Sequence, residues 1–481
     1  MKIALVSAEV TPFAKVGGLG DISGALPIGW ERLGHTSIVI IPKYRGIEKL
    51  YPITKTDIKL SLKIFGAEKE IAVWTSTLPN ANVPVYFIES DDLYDRSGIY
   101  GNPDGYPDND ERFFVLCASA FELMIELEFK PDIISAHDYH TALLLPLLRK
   151  SYAEHRLFTE TKGVLTIHNA QYQGWYDVQR MKDIDSWNID ECELNGSFNA
   201  LKVGLDHADL IIAVSPNYAK EILTPEFGEG LEHVYAKYSE KLIGILNGVD
   251  YSSWNPESDA FIHQLFSIED LTGKILGRNS LIEQSFHDSN TTESLPLIGM
   301  VSRFTDQKGI DLLEGCIEEF LEKGAFRFIV LGSGDERYQS YFKQLESKYP
   351  QMVSYTQGYN ESLAHHILAY SDFFLLPSRF EPCGLTQLYA LKYGTIPIVR
   401  SVGGLKDSVQ PFDMQTHLGD GITFQAFEKE ALLNALNEAI QLYHNAELMS
   451  ILRHNAMLAD FPIEKTALQY IKAFEKILPK H

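Results

Sequence analysis

In the stretch SRFTDQKG, Arg303 closes an apolar run and Lys308 follows five residues later, just ahead of GIDLL. Two cations at the mouth of a helix suit a diphosphate, because both charges and the unpaired helix N–H groups act on the same anion. In PSRFEPCGLTQLYALKYG, Glu381 follows the apolar run DFFLLP, and Gly384, Leu385 and Thr386 open the next helix. A carboxylate at that point can hold sugar hydroxyls or face a developing cation. Cys383 is linked to no histidine motif and reads as structural rather than nucleophilic. AKVGGLGD places Lys15, Gly17, Gly18 and Asp21 behind the first apolar run. A glycine pair lets main-chain N–H groups approach an anion, and Lys15 adds a mobile charge. No GxxxxGK[ST] loop is present.

SAHDYH and TIHNAQYQG bring His137, Asp138, His140, His168 and Asn169 to two further run ends. No HExxH or comparable ligand spacing occurs, so sugar binding is favoured over metal. LGSGDE is a lone glycine turn without the full GxGxxG and the acid about 20 residues on that a nicotinamide cofactor requires.

These residues need strands that end beside one another. IALVSAE, TSIVIIP, PVYFIES, PDIISAH, GVLTIHN and ADLIIAVS are short β-branched runs separated by helical periods, the pattern of parallel α/β sheets. IKLSLKIFGAEKEIAVWTSTL reads as an inserted β-hairpin, and Asp21 as the opening of the first helix. IYGNPDGYPDND is a polar loop of the kind that carries function. The alternation restarts at LPLIGMVSR and continues through FRFIVLGSGD, MVSYTQG, DFFLLPS and TIPIVRSVGG. The predicted fold class is therefore α/β, with two Rossmann-like, doubly wound domains. Residues 1–250 form the first and 251–459 the second, and a C-terminal helix within 460–481 crosses back to the first. In open sheets the ligand lies beyond the carboxyl ends of the strands, so two facing domains would put both sets of ends on one deep cleft. Val-Gly-Gly-Leu occurs at residues 16–19 and again at 402–405, which suggests similar turns on similar domains.

The 481 residues carry 42 Lys+Arg against 65 Asp+Glu, a net charge of −23, with no Lys/Arg run longer than two. This disfavours nucleic acid and anionic membrane as partners, but not a phosphate in a local basic pocket. The four cysteines are far apart and show neither disulfide-framework nor zinc spacing. The first apolar run, Ile3 to Val6, is too short for a signal peptide, and no stretch approaches the ~20 apolar residues of a membrane span. The expected location is cytoplasmic.

KVGGLGD, AHDYH, LTIHNAQYQG, LNGVD, SRFTDQKGIDLL and PSRFEPCGLTQLYALKYGTIPIVRSVGGLKD together resemble the bacterial glycogen synthases and plant starch synthases, over nearly the whole chain and in order. The resemblance implies a glycosyltransferase-B (GT-B) fold and a retaining glucosyltransferase. Such an enzyme moves glucose from ADP-glucose to the non-reducing end of an α-1,4-glucan or maltodextrin, without metal or other cofactor. It further implies a role for each matched residue. Lys15 and the N–H groups around Gly17 and Gly18 meet the nucleotide sugar, and Arg303 and Lys308 hold its diphosphate. Glu381 and the N–H groups of Cys383, Gly384 and Leu385 hold the donor glucose, with Thr386 near the phosphates. His168 lies over the reacting sugar, and Asp21, Asp138, Asn169 and Asn247 are sugar contacts. Tyr359 stacks on adenine and Tyr94 faces the acceptor. The wider superfamily has a second glutamate eight residues after the first; this chain has Tyr389 there, so no second acid is assigned to the ribose.

Arg303 and Lys308 would then do most of the catalytic work, by neutralising the departing ADP; one such contact is typically worth ~3 kcal/mol. Same-face attack is favoured, since no carboxylate is compelled into a nucleophilic role. Glu381→Ala or Lys308→Ala is expected to lose turnover while folding normally. Alternatives are UDP-glucose as donor, a pyridoxal-phosphate-dependent phosphorylase of related fold, and an inactive glucan-binding protein.

Overall fold

The computed structural model describes residues 1–101, 105–184, 192–286 and 295–479. Residues 102–104 of the polar loop IYGNPDGYPDND lie outside the described residues. The chain divides into two units, Met1–Asn247 with Ile463–His481, and Gly248–Pro462.

Among the described residues the first unit has a nine-stranded sheet. Its strands are β1 (Lys2–Val6), β2 (Thr36–Pro42), β3 (Thr54–Ile64), β4 (Ala67–Thr77), β5 (Pro84–Glu89), β6 (Ile133–His137) and β7 (Lys162–Ile167), followed after a smaller sheet by β11 (Leu210–Ala213) and β12 (Leu242–Gly244). The smaller sheet pairs β8 (Trp175–Tyr176), β9 (Glu193–Leu194) and β10 (Ser197–Asn199) in the order β8-β10-β9. The large sheet runs β12-β11-β7-β6-β1-β2-β5-β4-β3. Its central strands are parallel and buried on both faces, which is why they read as unbroken apolar runs: Ile3 to Val6 and Val39 to Ile41 are fully buried.

β3 and β4 form the expected antiparallel hairpin, at the edge of this same sheet. One of their faces is wet: Leu60, Leu62 and Ile64 are buried while Lys59, Ser61 and Lys63 are exposed. Phe65 and Gly66 turn the hairpin with φ of +50° and +75°, the left-handed backbone that a two-residue hairpin turn demands.

The second unit is a six-stranded parallel sheet in the order β15-β14-β13-β16-β17-β18. Its strands are β13 (Leu297–Phe304), β14 (Arg327–Gly334), β15 (Val353–Gln357), β16 (Phe373–Leu376), β17 (Ile396–Arg400) and β18 (Ile422–Phe424). Each sheet has one point where the winding reverses, between β1 and β6 in the first unit and between β13 and β16 in the second. Loops that leave two neighbouring strands in opposite directions open a crevice there, and ligands bind in it.

The first helix spans Gly18–Arg32, starting three residues before the expected Asp21, which lies in its first turn. The C-terminal helix Ile463–Ile477 packs on it. A Cβ on Gly29 would lie 2.7 Å from that of Ala467, and the buried Trp30 ring is 6.2 Å from Tyr470 and 5.9 Å from Phe474. The two Val-Gly-Gly-Leu turns each follow a strand and open a helix, Gly18–Arg32 and Gly403–Ser408. The first follows β1 at its switch point, but the second follows β17, so the turns do not occupy equivalent places.

Candidate active site

In the second unit the switch point brings the loops after β13 and β16 together. Asp306–Lys308 form one 3₁₀ turn, and Gly309 has a φ of +67°. A Cβ at Gly309 would lie 2.1 Å from the Pro377 carbonyl oxygen, so only glycine lets this turn close on the other loop. Arg379 N–H donates to the Gln307 carbonyl (2.8 Å), and the Gln307 side-chain amide donates to the Phe380 carbonyl (3.3 Å). Across this seam Lys308 Nζ lies 2.5 Å from Glu381 Oε2, which also accepts the Ser378 hydroxyl at 3.0 Å. The pair is largely out of water, with side chains 18% and 8% exposed.

Arg303 is exposed on β13 and makes no ion pair among the described residues. The structure thus joins Lys308 to Glu381 and leaves Arg303 available for an anion. Behind Glu381 the chain is tightly packed. Gly404 N–H donates to the Glu381 carbonyl (3.0 Å), and a Cβ on Gly404 would lie 2.2 Å from the Cys383 carbonyl oxygen. The Gln387 amide holds the Cys383 carbonyl, the Gly384 carbonyl and Ser408 Oγ at 2.9–3.1 Å. Gly384, Leu385 and Thr386 remain half-buried at the start of the helix Thr386–Lys392. Tyr359 follows β15 and is 77% exposed. Tyr389, where a second acid stands in the wider superfamily, is buried and stacks on Trp254 at 4.0 Å; that position is core.

In the first unit the loops after β1, β6 and β7 gather at the other switch point. Lys15 pairs with Asp21 at 2.7 Å. The N–H groups of Val16 and Gly17 donate to Glu9 Oε2 at 2.6 and 3.0 Å, so this loop is organised by a carboxylate of its own. Glu9 is buried, and Tyr100 donates its hydroxyl to the other carboxylate oxygen.

Asp138 has a φ of +58°, and its Oδ1 accepts the N–H of His168 (2.6 Å) and of Asn169 (3.3 Å). It holds the turn that presents those two half-buried residues. Burial pushes the Asp138 carboxyl up to about 7, against the pull of these N–H groups. His168 Nε2 is 2.9 Å from His137 Nδ1, whose Nε2 meets Ser135 Oγ at 3.1 Å. Burial lowers His168 and His140 to about 3 and His137 well below its ordinary value, so all three rings are neutral near pH 7. Asn247 is buried with no partner for its Oδ1 among the described residues, the signature of an acceptor waiting for a donor.

Tyr94 is a correction. It is fully buried, donates to the Arg112 carbonyl at 2.7 Å and packs edge-on against Tyr44, so it cannot face an acceptor in this structure. Glu9 went unnoticed in the sequence. Its one signal was an acid beside an apolar strand, in VSAEV. Among the described residues no three His, Cys, Asp or Glu side chains gather as a metal site, and no helix is long and apolar enough to cross a membrane.

Comparison with known proteins bears on both units. Residues 2–237 match the starch synthase catalytic domain, and residues 282–458 match the glycosyl transferases group 1 family. The chain is 39% identical to glycogen synthase 1 of Geobacter metallireducens, over 100% of this chain and 97% of the relative. It is 37% identical to the glycogen synthase of Alkaliphilus metalliredigens, over 99% and 100%. The catalytic domain of starch synthase IV from Arabidopsis thaliana, bound to ADP and acarbose, superposes with a TM-score of 0.90 at 32% identity, covering 99% of both chains. With two α/β units and relatives of this kind over its full length, the chain belongs to the glycogen synthase family of GT-B glycosyltransferases.

Proposed function

We propose that this chain transfers glucose from ADP-glucose to the non-reducing end of an α-1,4-glucan with retention of configuration, releasing ADP. The observation that carries the reading is the Lys308–Glu381 pair at the second sheet's switch point, with exposed Arg303 on the adjoining strand. Breaking the glucose–phosphate bond leaves positive charge on the sugar and negative charge on ADP. Lys308 and Arg303 neutralise the diphosphate, and Lys308 does so from a largely buried place, where a charge acts more strongly than in water. Glu381 orients Lys308 and, with the N–H groups of Cys383 to Leu385, holds the hydroxyls of the donor glucose. Thr386 lies toward the phosphates and Tyr359 offers its exposed ring to adenine.

In the first unit, Lys15 and the N–H groups around Gly17 and Gly18 meet the nucleotide sugar, Asp21, Asn169 and Asn247 supply sugar contacts, and neutral His168 lies against the reacting sugar. Asp138 already spends Oδ1 on two N–H groups, which supports same-face attack over a covalent carboxylate. In that route the acceptor oxygen bonds to C1 as the C1–phosphate bond breaks, and the departing phosphate oxygen takes the acceptor proton. The ADP bound to the Arabidopsis domain supports an adenine nucleotide here.

The test is ADP or UDP release from the two glucose nucleotides, with and without maltoheptaose. The expected result is maltoheptaose-dependent ADP release, with UDP-glucose at least about tenfold slower, the ~1.4 kcal/mol of one mismatched polar contact. Release that ignores the acceptor, or a preference for UDP-glucose, overturns the assignment.

A further inference from the structure

The loop that presents His168 and Asn169 continues into a feature the transfer chemistry does not use. Tyr172 is 46% exposed and Trp175 is 48% exposed, and neither stacks on another ring among the described residues. Exposed rings on a mobile loop would mean little, but this loop is clamped. Between the two rings Gln173 is buried, its amide donating to the Ala170 carbonyl (3.1 Å) and the Glu229 carbonyl (2.9 Å). Gln173 Oε1 accepts from the fully buried Asn199 side chain at 2.8 Å. The Gln173 and Gly174 carbonyls accept the N–H groups of Leu201 and Ala200 at 3.0 and 2.9 Å. Gly174 turns with a φ of +67°, and a Cβ there would lie 2.6 Å from the Tyr139 ring. Trp175 then pairs with Asn199 as strand β8 meets β10.

Two large apolar surfaces are thus held rigidly in water on either side of a buried anchor. We propose that Tyr172 and Trp175 form a platform for the acceptor glucan, gripping glucose units beyond the one that reacts. The proposal rests on the functional reading above. The rings are continuous with the candidate site, since the Tyr172 N–H donates to the Asn169 carbonyl at 3.3 Å. The seven Cα–Cα steps from His168 to Trp175 span at most about 25 Å, the reach of a short stretch of polymer. A neutral polysaccharide suits a chain of net charge −23, which repels anionic partners. The C–H faces of glucose pack on aromatic faces, and preformed rings lose little entropy in doing so.

The test compares Tyr172→Ala, Trp175→Ala and Trp175→Phe with the parent, using glycogen and maltotriose as alternative acceptors. The half-saturating glycogen concentration is expected to rise about tenfold in each alanine variant, the usual scale for a well-placed aromatic contact. Trp175→Phe should retain most of the affinity, and the KM values for maltotriose and ADP-glucose should stay within about twofold of the parent. Equal shifts with both acceptors, or none with either, overturn the platform. Retardation in glycogen-containing native gels needs no donor, so it reads the platform even if the parent transfers nothing to either acceptor, the result that would sink the functional reading instead. Undiminished retardation of both alanine variants overturns the platform, as does a change of oligomeric size without a change in retardation. Tyr172→Gln or Trp175→Gln replaces the alanine variant at the same position if that variant does not fold.

Discussion

At Glu381 and Lys308 the proposed catalytic role and the demands of folding meet in one ion pair. The sequence suggested that truncating either residue would spare the fold. The structure changes that expectation, because removing one member strands the other in a largely buried place. For fully buried pairs that costs about 3–5 kcal/mol; Lys308→Ala strands Glu381, which keeps the Ser378 hydrogen bond, so the expected loss is about 3 kcal/mol. Glu381→Gln keeps a hydrogen-bond acceptor for Lys308 and should melt near the parent while losing about 10²-fold in kcat. The double variant Lys308→Met/Glu381→Gln should regain stability but not activity. Thermal melts and initial rates on the three proteins check this, and a Lys308→Ala protein as stable as the parent contradicts the buried pairing. The buried histidines carry a second residue-level prediction. His140 is held near 3 by burial, against 6.5 when unfolded, so the unfolded chain takes up a proton that the folded chain refuses. Its contribution to stability is whole above pH 6.5 and is lost as the pH falls toward 3, at about 1.4 kcal/mol per unit. Asp138 runs the other way: its raised carboxyl favours the fold as the pH falls through 7. His140→Phe, which keeps the stack on Tyr100, should therefore flatten the loss of stability between pH 6.5 and 5 by about 2 kcal/mol. Urea melts at the two pH values measure it, and an unchanged difference would mean that His140 is protonated in the fold.

Among the elements, the contact between the first and last helices is the most exposed to test. Trp30, Tyr470 and Phe474 are fully buried around it, and Gly29 leaves no room for a side chain opposite Ala467. Phe474→Ala should cost the first unit about 3–4 kcal/mol by the usual cost of an aromatic cavity. Gly29→Leu should do at least as much, by forcing the helices apart. Calorimetry of the two variants decides it, and an unchanged melt would show the helix contributing nothing. The strands were legible because burial on both faces of a parallel sheet writes itself as a short unbroken apolar run: Ile3 to Val6, Ile133 to Ile134 and Phe373 to Leu376 could hardly be anything else. For the same reason Arg303 and Glu381 could be placed at or near strand ends. That Lys308 meets Glu381 was not legible, since it follows from β13 lying beside β16, and strand order is a long-range property that no local pattern encodes. Glu9 was hidden for the same reason: its partners come from the glycine loop and from Tyr100, far along the chain. Tyr94 was misplaced because a tyrosine in a polar segment reads alike whether its ring is wet or buried, and only packing against Tyr44 and the Arg112 carbonyl decides.

On the scale of the whole molecule, a chain of charge −23 must bind an anionic nucleotide, so the attraction has to be local. Screening helps, since at physiological salt repulsion from charges more than about 8 Å away is largely damped, and the near cations decide. Arg303 and Lys308 belong to the second unit, which has a hydrophobic core of its own running from Ile298 to Ala456. Proteins built this way commonly unfold in more than one step. Scanning calorimetry should resolve two transitions, and Phe474→Ala, by weakening only the first unit, should show which is which. ADP at a hundred times its Kd should then stabilise the second-unit transition by about 2.7 kcal/mol. Arg303→Ala is the decisive variant. Exposed and without an ion pair among the described residues, Arg303 can be removed with no change in the melt of the ligand-free protein. The ADP shift, however, should fall by about half or more, because a charge-assisted contact is worth about 1.5–3 kcal/mol. If Arg303→Ala leaves the ADP shift whole, or if ADP moves only the transition that Phe474→Ala identifies as the first unit, the nucleotide is held elsewhere and the division of labour proposed for the two units is wrong.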